Sequence, residues 1–547
     1  MAVTLKLTQR WWPALTFALL FGTLGYAFLP YAGLQNDEVL FAAPDYHQAS
    51  SSIFTIAAGR YHVPVMLLSY LGALKTWLYA PILFRVRPSY LTIRLPALLL
   101  GAMTIVMFVW FLDKIHGRRA AWAGGALLAT DTMFLLTTCF DWGPVVFQHL
   151  MLMAGLAFSV KFVTSKEKSA LFLAFLAFGL GMWDKALFSW DLIGLAVATA
   201  VVFPKELWSV VTGPNLARAA AGFCVGALPL LVYNASSGLA TFRSNASFTL
   251  SEMPVKVRAL RSAWDGSALL TYLVSSPYAP GQPRQPENAL ERVSARVHDR
   301  FGERGRNALD WGAGIAVILA VPLLWRPRAR RILLFYLIAA GVAWIQMALT
   351  RGAGGSAHHV VLLWPLPQCF LAVAFADASE WAPLRRWNLG GWLLAAVAVF
   401  LSAANVLLTN QYLYQFTRYG AAGSWTTAIF RLSDELNRFQ GTQLVIDDWG
   451  ILDSLSVMHR GRLPLVYADE SFLTLGESET QWTWDRGLAE HGIWIGHTKP
   501  YREFAATGEK IEKSAAAAGF QKQIVELVPD RNGRAVFEIF RFVRPAS

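Results

Sequence analysis

Apolar residues in this chain come in long blocks. Stretches rich in Leu, Ala, Phe, Val and Trp cover residues 11–31, 94–112, 120–138, 143–162, 169–184, 186–203, 215–233, 311–325, 331–349, 358–376 and 390–409. Most approach the ~20 residues a helix needs to cross a bilayer. Backbone polar groups in lipid are satisfied only in helices or closed barrels. Runs of this length exclude the ~10-residue alternating strands of a barrel. The pattern therefore predicts about eleven transmembrane helices.

The loops give these spans a direction. With the N-terminus inside, the short loops 113–119, 163–168, 204–214, 326–331 and 377–387 are cytoplasmic. They carry Lys114, Arg118, Arg119, Lys166, Lys168, Lys205, Arg326, Arg328, Arg330, Arg331, Arg385 and Arg386, the bias expected of cytoplasmic loops. The first span follows Lys6 and Arg10 and has only a faint small-residue cleavage match at Ala32-Gly33. It is expected to remain uncleaved. Residues 62–84 are apolar enough to span, but counting them would place loop 113–119 outside. They also contain Lys75 and have Pro64 and Pro81 near their ends. They are read as an interfacial or re-entrant helix of the first outer loop, 32–93. A second outer loop, 234–310, contains an amphipathic stretch at 286–301, with Leu290, Val293, Val297 and Phe301 at helical spacing. It suits either a membrane face or packing on the core.

After Asn410 the periodicity changes. Strands are expected at 444–446, 463–466 and 493–495, helices at 424–439 and 501–518, and a closing hairpin at 524–528 and 535–542 around Pro529–Gly533. This predicts a transmembrane domain, 1–410, followed by a soluble extracytoplasmic α/β domain, 411–547.

Composition agrees. Of 547 residues, 55% are hydrophobic and 15% charged, against about a quarter charged in soluble domains. The net charge of +12 sits largely in short loops, which points to membrane sidedness and not to nucleic acid. Cys139, Cys224 and Cys369 lie in or beside spans without metal-ligand spacing. They are read as small core residues.

Candidate chemistry gathers at the outer ends of the spans. Asp37 and Glu38 follow span one, and adjacent carboxylates there are either a functional site or a solvated cap. Asp131 and Asp141 bracket the end of span three; each suits a helix cap as well as a site. Converging carboxylates serve as a general base or bind a divalent cation. Arg94, Lys185, Arg351, His358 and His359 add cations that suit a lipid phosphate, with snorkelling and local Asp184–Lys185 pairing as the alternative. Adjacent histidines on a helix point about 100° apart. One is therefore expected to bond phosphate or sugar, and the pair is not expected to ligate metal.

Four motifs resemble those of the type C glycosyltransferases, in particular the protein O-mannosyltransferase and aminoarabinose-transferase group. Asn36-Asp37-Glu38-Val39-Leu40-Phe41 is similar to the Asp-Glu motif of their first outer loop. Arg94-Leu95-Pro96-Ala97 is similar to the Arg-Leu-Pro start of span two. Gly179 to Lys185 is similar to the Gly-Leu-x-x-x-x-Lys turn. His358 to Pro365 is similar to a late His-Tyr-x-x-x-x-x-Pro motif, with Val360 where an aromatic is common. The motifs cover roughly residues 1–410. The resemblance implies transfer of a sugar from a polyprenyl-phosphate donor to a hydroxyl acceptor, with Asp37 as base and Glu38 positioning substrate. Asp131 and Asp141 map less cleanly, because Cys-Phe-Asp141-Trp-Gly-Pro departs from the usual Arg/Asn-Asp context. The final domain does not resemble the β-trefoil of eukaryotic mannosyltransferases, which favours a bacterial inner-membrane enzyme. A flippase of lipid-linked sugars would share the spans and cations, but no inverted internal repeat is evident.

Overall fold

The computed structural model describes residues 2–46, 52–59, 61–439, 441–468 and 492–544. The first long helix, α1 (Ala2–Phe28), leads to a short helix α2 (Asn36–Val39) and a three-stranded sheet of β1 (Phe54–Ala58), β2 (Tyr61–Leu68) and β3 (Leu71–Gly72). Helix α3 (Leu74–Leu83) follows. The bundle continues with α4 (Tyr90–His116), α5 (Arg118–Thr130), α6 (Thr132–Cys139), α7 (Val145–Ser165), α8 (Lys168–Asp184), α9 (Ser189–Val202), α10 (Pro204–Val210) and α11 (Gly213–Ser236). Shorter helices α12 (Ala240–Asn245), α13 (Met253–Trp264) and α14 (Ala289–Phe301) precede α15 (Leu309–Leu323), α16 (Pro327–Leu349), α17 (Ala357–Val360), α18 (Leu366–Ser379) and α19 (Leu389–Tyr419).

All eleven expected spans fall on helices. Among the described residues, six helices are long and apolar enough to cross a membrane, and up to nine spans result if each of three bent pairs counts once. The two remaining expected spans, α8 and α15, are shorter, at 17 and 15 residues. One bend, of 54°, separates α5 from α6. Asp131 causes it: its backbone is extended and its carboxylate accepts from the Phe134 amide at 2.9 Å, capping the second half. Glycines bring α8 and α11 together. A Cβ on Gly179, Gly222 or Gly226 would strike the backbone carbonyl of Phe223, Phe172 or Leu176, the small-residue packing that membrane helices use.

Residues 62–84 correct the expected helix, because their first half is strand. Gly59, at φ 63°, turns the chain so that β1 pairs antiparallel with β2, and Pro64 would interrupt any helix through this stretch. Only 74–83 is helical. The amphipathic helix α14 has an unusual orientation. Its polar Glu291 and Ser294 are buried, while Leu290, Val293 and Phe301 are exposed.

Helix α19 continues to Tyr419, past the expected boundary at 410, and stops at Gly420, whose φ is 77°. Beyond it lie α20 (Ala428–Leu436), β4 (Leu444–Ile446), α21 (Leu452–Met458), β5 (Leu465–Tyr467), β6 (Ile493–His497), α22 (Ala505–Ala517), β7 (Gln521–Pro529) and β8 (Ala535–Val543). The sheet order is β5-β4-β6-β8-β7. Strand β4 is parallel to β5 and β6, and β8 is antiparallel to β6 and β7. Leu432, Leu436, Ile446, Leu455 and Ile495 fill one side of this sheet. The domain rests on the turn after α1: the Gly33 amide donates to the Trp425 carbonyl at 2.8 Å, and Ser454 Oγ donates to the Leu34 carbonyl at 2.9 Å.

Candidate active site

The turn after α1 is built by its own sequence. Gln35 and Glu38 form a reciprocal capping box around α2: the Asp37 amide donates to Gln35 Oε1 at 2.7 Å, and the Gln35 amide donates to Glu38 Oε2 at 3.3 Å. This points Glu38 inward and leaves Asp37 on the rim. Glu38 is fully buried against Arg94, which is also fully buried. Arg94 Nε donates to Glu38 Oε1 at 2.5 Å and Nη2 to Oε2 at 2.9 Å. Its other N–H groups donate to the carbonyls of Leu29, of Ala32 at 3.0 Å and of Gly33 at 2.7 Å. A guanidinium has five N–H donors, and all five are used. In this arrangement Arg94 has no N–H left for a phosphate. It fastens the acidic turn to α4.

A second buried pair sits beside the first. Asp141 adopts φ 47° at the end of α6. Lys75 Nζ donates to Asp141 Oδ1 at 2.6 Å and to the Gly143 carbonyl at 2.7 Å, and the Tyr79 hydroxyl donates to Asp141 Oδ2. Lys75 and Asp141 are 1% and 0% exposed. Asp141 is thereby committed within the protein, and α3 is the element that supplies its partners. Lys75 was invisible as a partner in the sequence, because 66 residues separate it from Asp141. Asp131 lies away from this cluster. It caps the break in span three, one 8-residue helix from Asp141, or about 12 Å at 1.5 Å per residue. Its second oxygen accepts from Gln368 Nε2 of α18 at 3.1 Å.

Asp37 differs from all of these. Trp142 Nε1 donates to its Oδ2 at 3.1 Å, and Oδ1 has no hydrogen bond among the described residues. Burial holds the Asp37 carboxyl above the usual aspartate range, against the opposing pull of the Trp142 bond and the charges of Lys185 and Lys75. Trp142 organises the surroundings. Its ring stacks with Tyr272 at 5.2 Å and with His358 at 5.4 Å, and meets Trp425 edge-on at 5.2 Å. Tyr70 and Tyr272 both feel the Asp37 charge. Apart from His358, these aromatic partners had no signal in spacing, since they come from distant segments.

Lys185 is the basic counterpart of Asp37. It is 3% exposed, yet its side chain makes no hydrogen bond or ion pair among the described residues. The local Asp184 partner is occupied elsewhere: Asp184 Oδ2 accepts from Gln148 Nε2 at 2.9 Å. Burial pushes Lys185 down to about 8, with Asp37 and then Asp184 opposing the shift. The turn that carries Lys185 is held by a bridge to Leu71 of the small sheet and by the Ala186 amide, which donates to the Tyr70 carbonyl at 2.9 Å.

The two histidines divide. His359 Nδ1 accepts from the Gly354 amide at 3.2 Å and lies 3.1 Å from Ser356 Oγ, which stabilises its own loop. His358 stacks on Trp142, and its buried Nδ1 has no partner. Arg351 is exposed on a turn whose amide donates to the Ser247 carbonyl at 2.8 Å. Its charge lies near Glu252. Among the described residues, no group of three or more His, Cys, Asp or Glu side chains is arranged to hold a metal ion. Of the four carboxylates expected to serve as a base or bind a divalent cation, Glu38, Asp141 and Asp131 are tied to Arg94, Lys75 and Gln368.

Comparison with solved structures identifies the architecture. The chain is similar to ArnT, an aminoarabinose transferase from Cupriavidus metallidurans, bound to undecaprenyl phosphate: the TM-score is 0.58 at 14% identity, over 96% of this chain and 97% of that one. Against the apo form of the same protein the TM-score is 0.58 at 16% identity, over 98% of each chain. An Archaeoglobus fulgidus oligosaccharyltransferase, in complex with Zn and sulfate, aligns with a TM-score of 0.50 at 13% identity, over 96% of this chain and 73% of that one. No protein-family model matches the sequence, and no curated protein matches it. The chain has the type C glycosyltransferase fold, a polytopic helical bundle with a sheet-containing C-terminal domain.

Proposed function

We propose that the protein transfers a sugar from a polyprenyl-phosphate donor to a hydroxyl acceptor at the extracytoplasmic face of the inner (plasma) membrane. The observation that carries this reading is the pair of uncommitted groups at the sheet-domain end of the bundle. Among the described residues, Asp37 has an oxygen without a hydrogen bond, and Lys185 is a buried cation with no partner. A buried unpaired ammonium is costly, and a site that awaits an anionic ligand accounts for it.

The chemistry follows from these two groups. The acceptor oxygen attacks the anomeric carbon of the donor and passes its proton to Asp37, whose raised pKa suits a general base. The bond from the anomeric carbon to the phosphate oxygen breaks, and the electron pair leaves with polyprenyl phosphate. Lys185 neutralises that phosphate, and His358 adds a hydrogen-bonding nitrogen beside it. A single displacement inverts the anomeric centre. Glu38, Arg94, Lys75 and Asp141 hold the turn without touching substrate. The undecaprenyl phosphate of the ArnT structure makes a donor of that class the natural first probe.

Incubation of purified protein with radiolabelled polyprenyl-phosphate sugars and cell-envelope extract tests the reading. Wild-type protein is expected to move label to acceptor, and Asp37→Asn to abolish most of the transfer while retaining donor binding. Movement of donor across vesicles without transfer would instead identify a flippase.

A further inference from the structure

At the opposite end of the bundle, α1 and α19 each pack on α5 but leave a space between themselves. A cavity of about 680 Å³ lies between them, lined by Phe17 and Trp122 on one side and by Leu394, Ala398 and Val399 on the other. Ala123, Ala126, Gly391 and Ala395 also line it. Small residues at such positions draw membrane helices into contact; here they let α1 and α19 approach α5 and leave the groove between them apolar. The α19 lining runs from Gly391 to Ser402, eleven helical steps or about 16 Å. That is roughly one leaflet of a ~30 Å hydrocarbon core.

The mouth is cationic. Arg118 and Arg119 border the cavity at the first turn of α5, whose Gly117 cap supplies no side-chain hydrogen bond. Arg119 is occupied: it donates to the Ser379 carbonyl at 3.1 Å, to Ser379 Oγ at 3.0 Å and to Asn388 Oδ1 at 3.1 Å. Arg118 is exposed and makes no hydrogen bond or ion pair among the described residues. The α5 macrodipole adds its positive end at the same place. Basic loops mark this as the cytoplasmic end.

We infer that this cavity holds one acyl chain of an anionic phospholipid from the cytoplasmic leaflet, with the headgroup phosphate on Arg118. Apolar walls of one leaflet's depth match an acyl chain, and a free guanidinium beside a helix start matches a phosphate. The inference is independent of the transfer reaction, since neither the cavity nor Arg118 takes part in the Asp37 cluster.

Native mass spectrometry of the full chain, delipidated and titrated with phosphatidylglycerol or phosphatidylcholine, tests it. The first phosphatidylglycerol is expected to bind at least tenfold tighter than phosphatidylcholine. Arg118→Glu should erase this preference, and the control Lys168→Glu, exposed at the start of α8, should retain it. Ala398→Phe, which fills the space, should weaken the first site for both lipids. Equal binding of the two lipids by wild type, a preference that survives Arg118→Glu, or an Ala398→Phe protein that binds both lipids as before would each overturn the inference. So would polyprenyl phosphate displacing phosphatidylglycerol from the first site.

Discussion

Two adjacent carboxylates meet opposite fates. Glu38 faces inward and is saturated by Arg94 and by its own capping box. Asp37 faces outward, with one bond to an indole and one free oxygen. The basic residues split the same way: every side-chain N–H of Arg94 is occupied, whereas Lys185 is buried with no partner among the described residues. Saturated pairs build a site, and unsaturated groups are left for a ligand. Charge at the right end of a span is therefore a poor guide to role until hydrogen-bond partners are counted.

The largest effect that sharpens this contrast is expected from Arg94→Ala. It strands Glu38 as a buried lone charge, and removing one partner of such a pair costs about 3–5 kcal/mol. Thermal melts in detergent should show a protein that is strongly destabilised or fails to accumulate. A stable Arg94→Ala protein with only a raised donor KM would return Arg94 to the phosphate site.

Lys185→Met should behave in the opposite manner. It removes an unpaired buried charge, so the melting temperature should hold or rise. Loss of a charged hydrogen bond to phosphate is worth about 1.5–3 kcal/mol, so donor KM should rise roughly ten- to 150-fold. A fall in stability with unchanged KM would make Lys185 structural.

The same pair sets the pH profile. Asp37 must be ionised to take a proton, so kcat/KM should climb with pH through a value above the usual aspartate range. Lys185 must be protonated to hold phosphate, so kcat/KM should fall as pH passes about 8. Free-enzyme groups appear in kcat/KM, and Lys185→Arg should move the alkaline limb upward. An alkaline limb that stays in place in Lys185→Arg would assign it to another group.

A smaller effect is expected where the sheet domain rests on the acidic turn. Ser454→Ala removes one bond to the Leu34 carbonyl, for about 0.5–1.5 kcal/mol. Urea titration of the tryptophan fluorescence reads it. No change would show that the turn holds itself without the domain.

The spans were legible because twenty-residue apolar runs and basic short loops reflect the bilayer directly. Strands β4, β6 and the closing hairpin were legible for a similar local reason, since short apolar runs lie between turn signals. Residues 62–84 misled because apolar content alone does not distinguish a half-buried hairpin from a helix, although Gly59 and Pro64 carried the missing information. Asp131 suited a cap as well as a site in sequence; its cap bond to Phe134 is local, whereas its second bond, to Gln368, lies 237 residues away and left no mark. The internal contacts of Arg94 were likewise hidden: three of its five acceptors are backbone carbonyls, which leave no mark in sequence. The Trp142–Tyr272–His358 stack assembles from three distant segments, and only His358 had been singled out by a motif.

The most direct test of the account compares Asp37→Asn with Glu38→Gln, measuring melting temperature and single-turnover sugar transfer on both. Asn can still accept the Trp142 bond, so Asp37→Asn should melt like wild type while turnover falls by about 10²–10⁴, the usual contribution of a general base. Glu38→Gln should melt markedly lower, and the folded fraction should retain most of its turnover. Near-normal turnover in well-folded Asp37→Asn, or an equal loss of turnover in a fully stable Glu38→Gln, would contradict the division of labour between the two carboxylates.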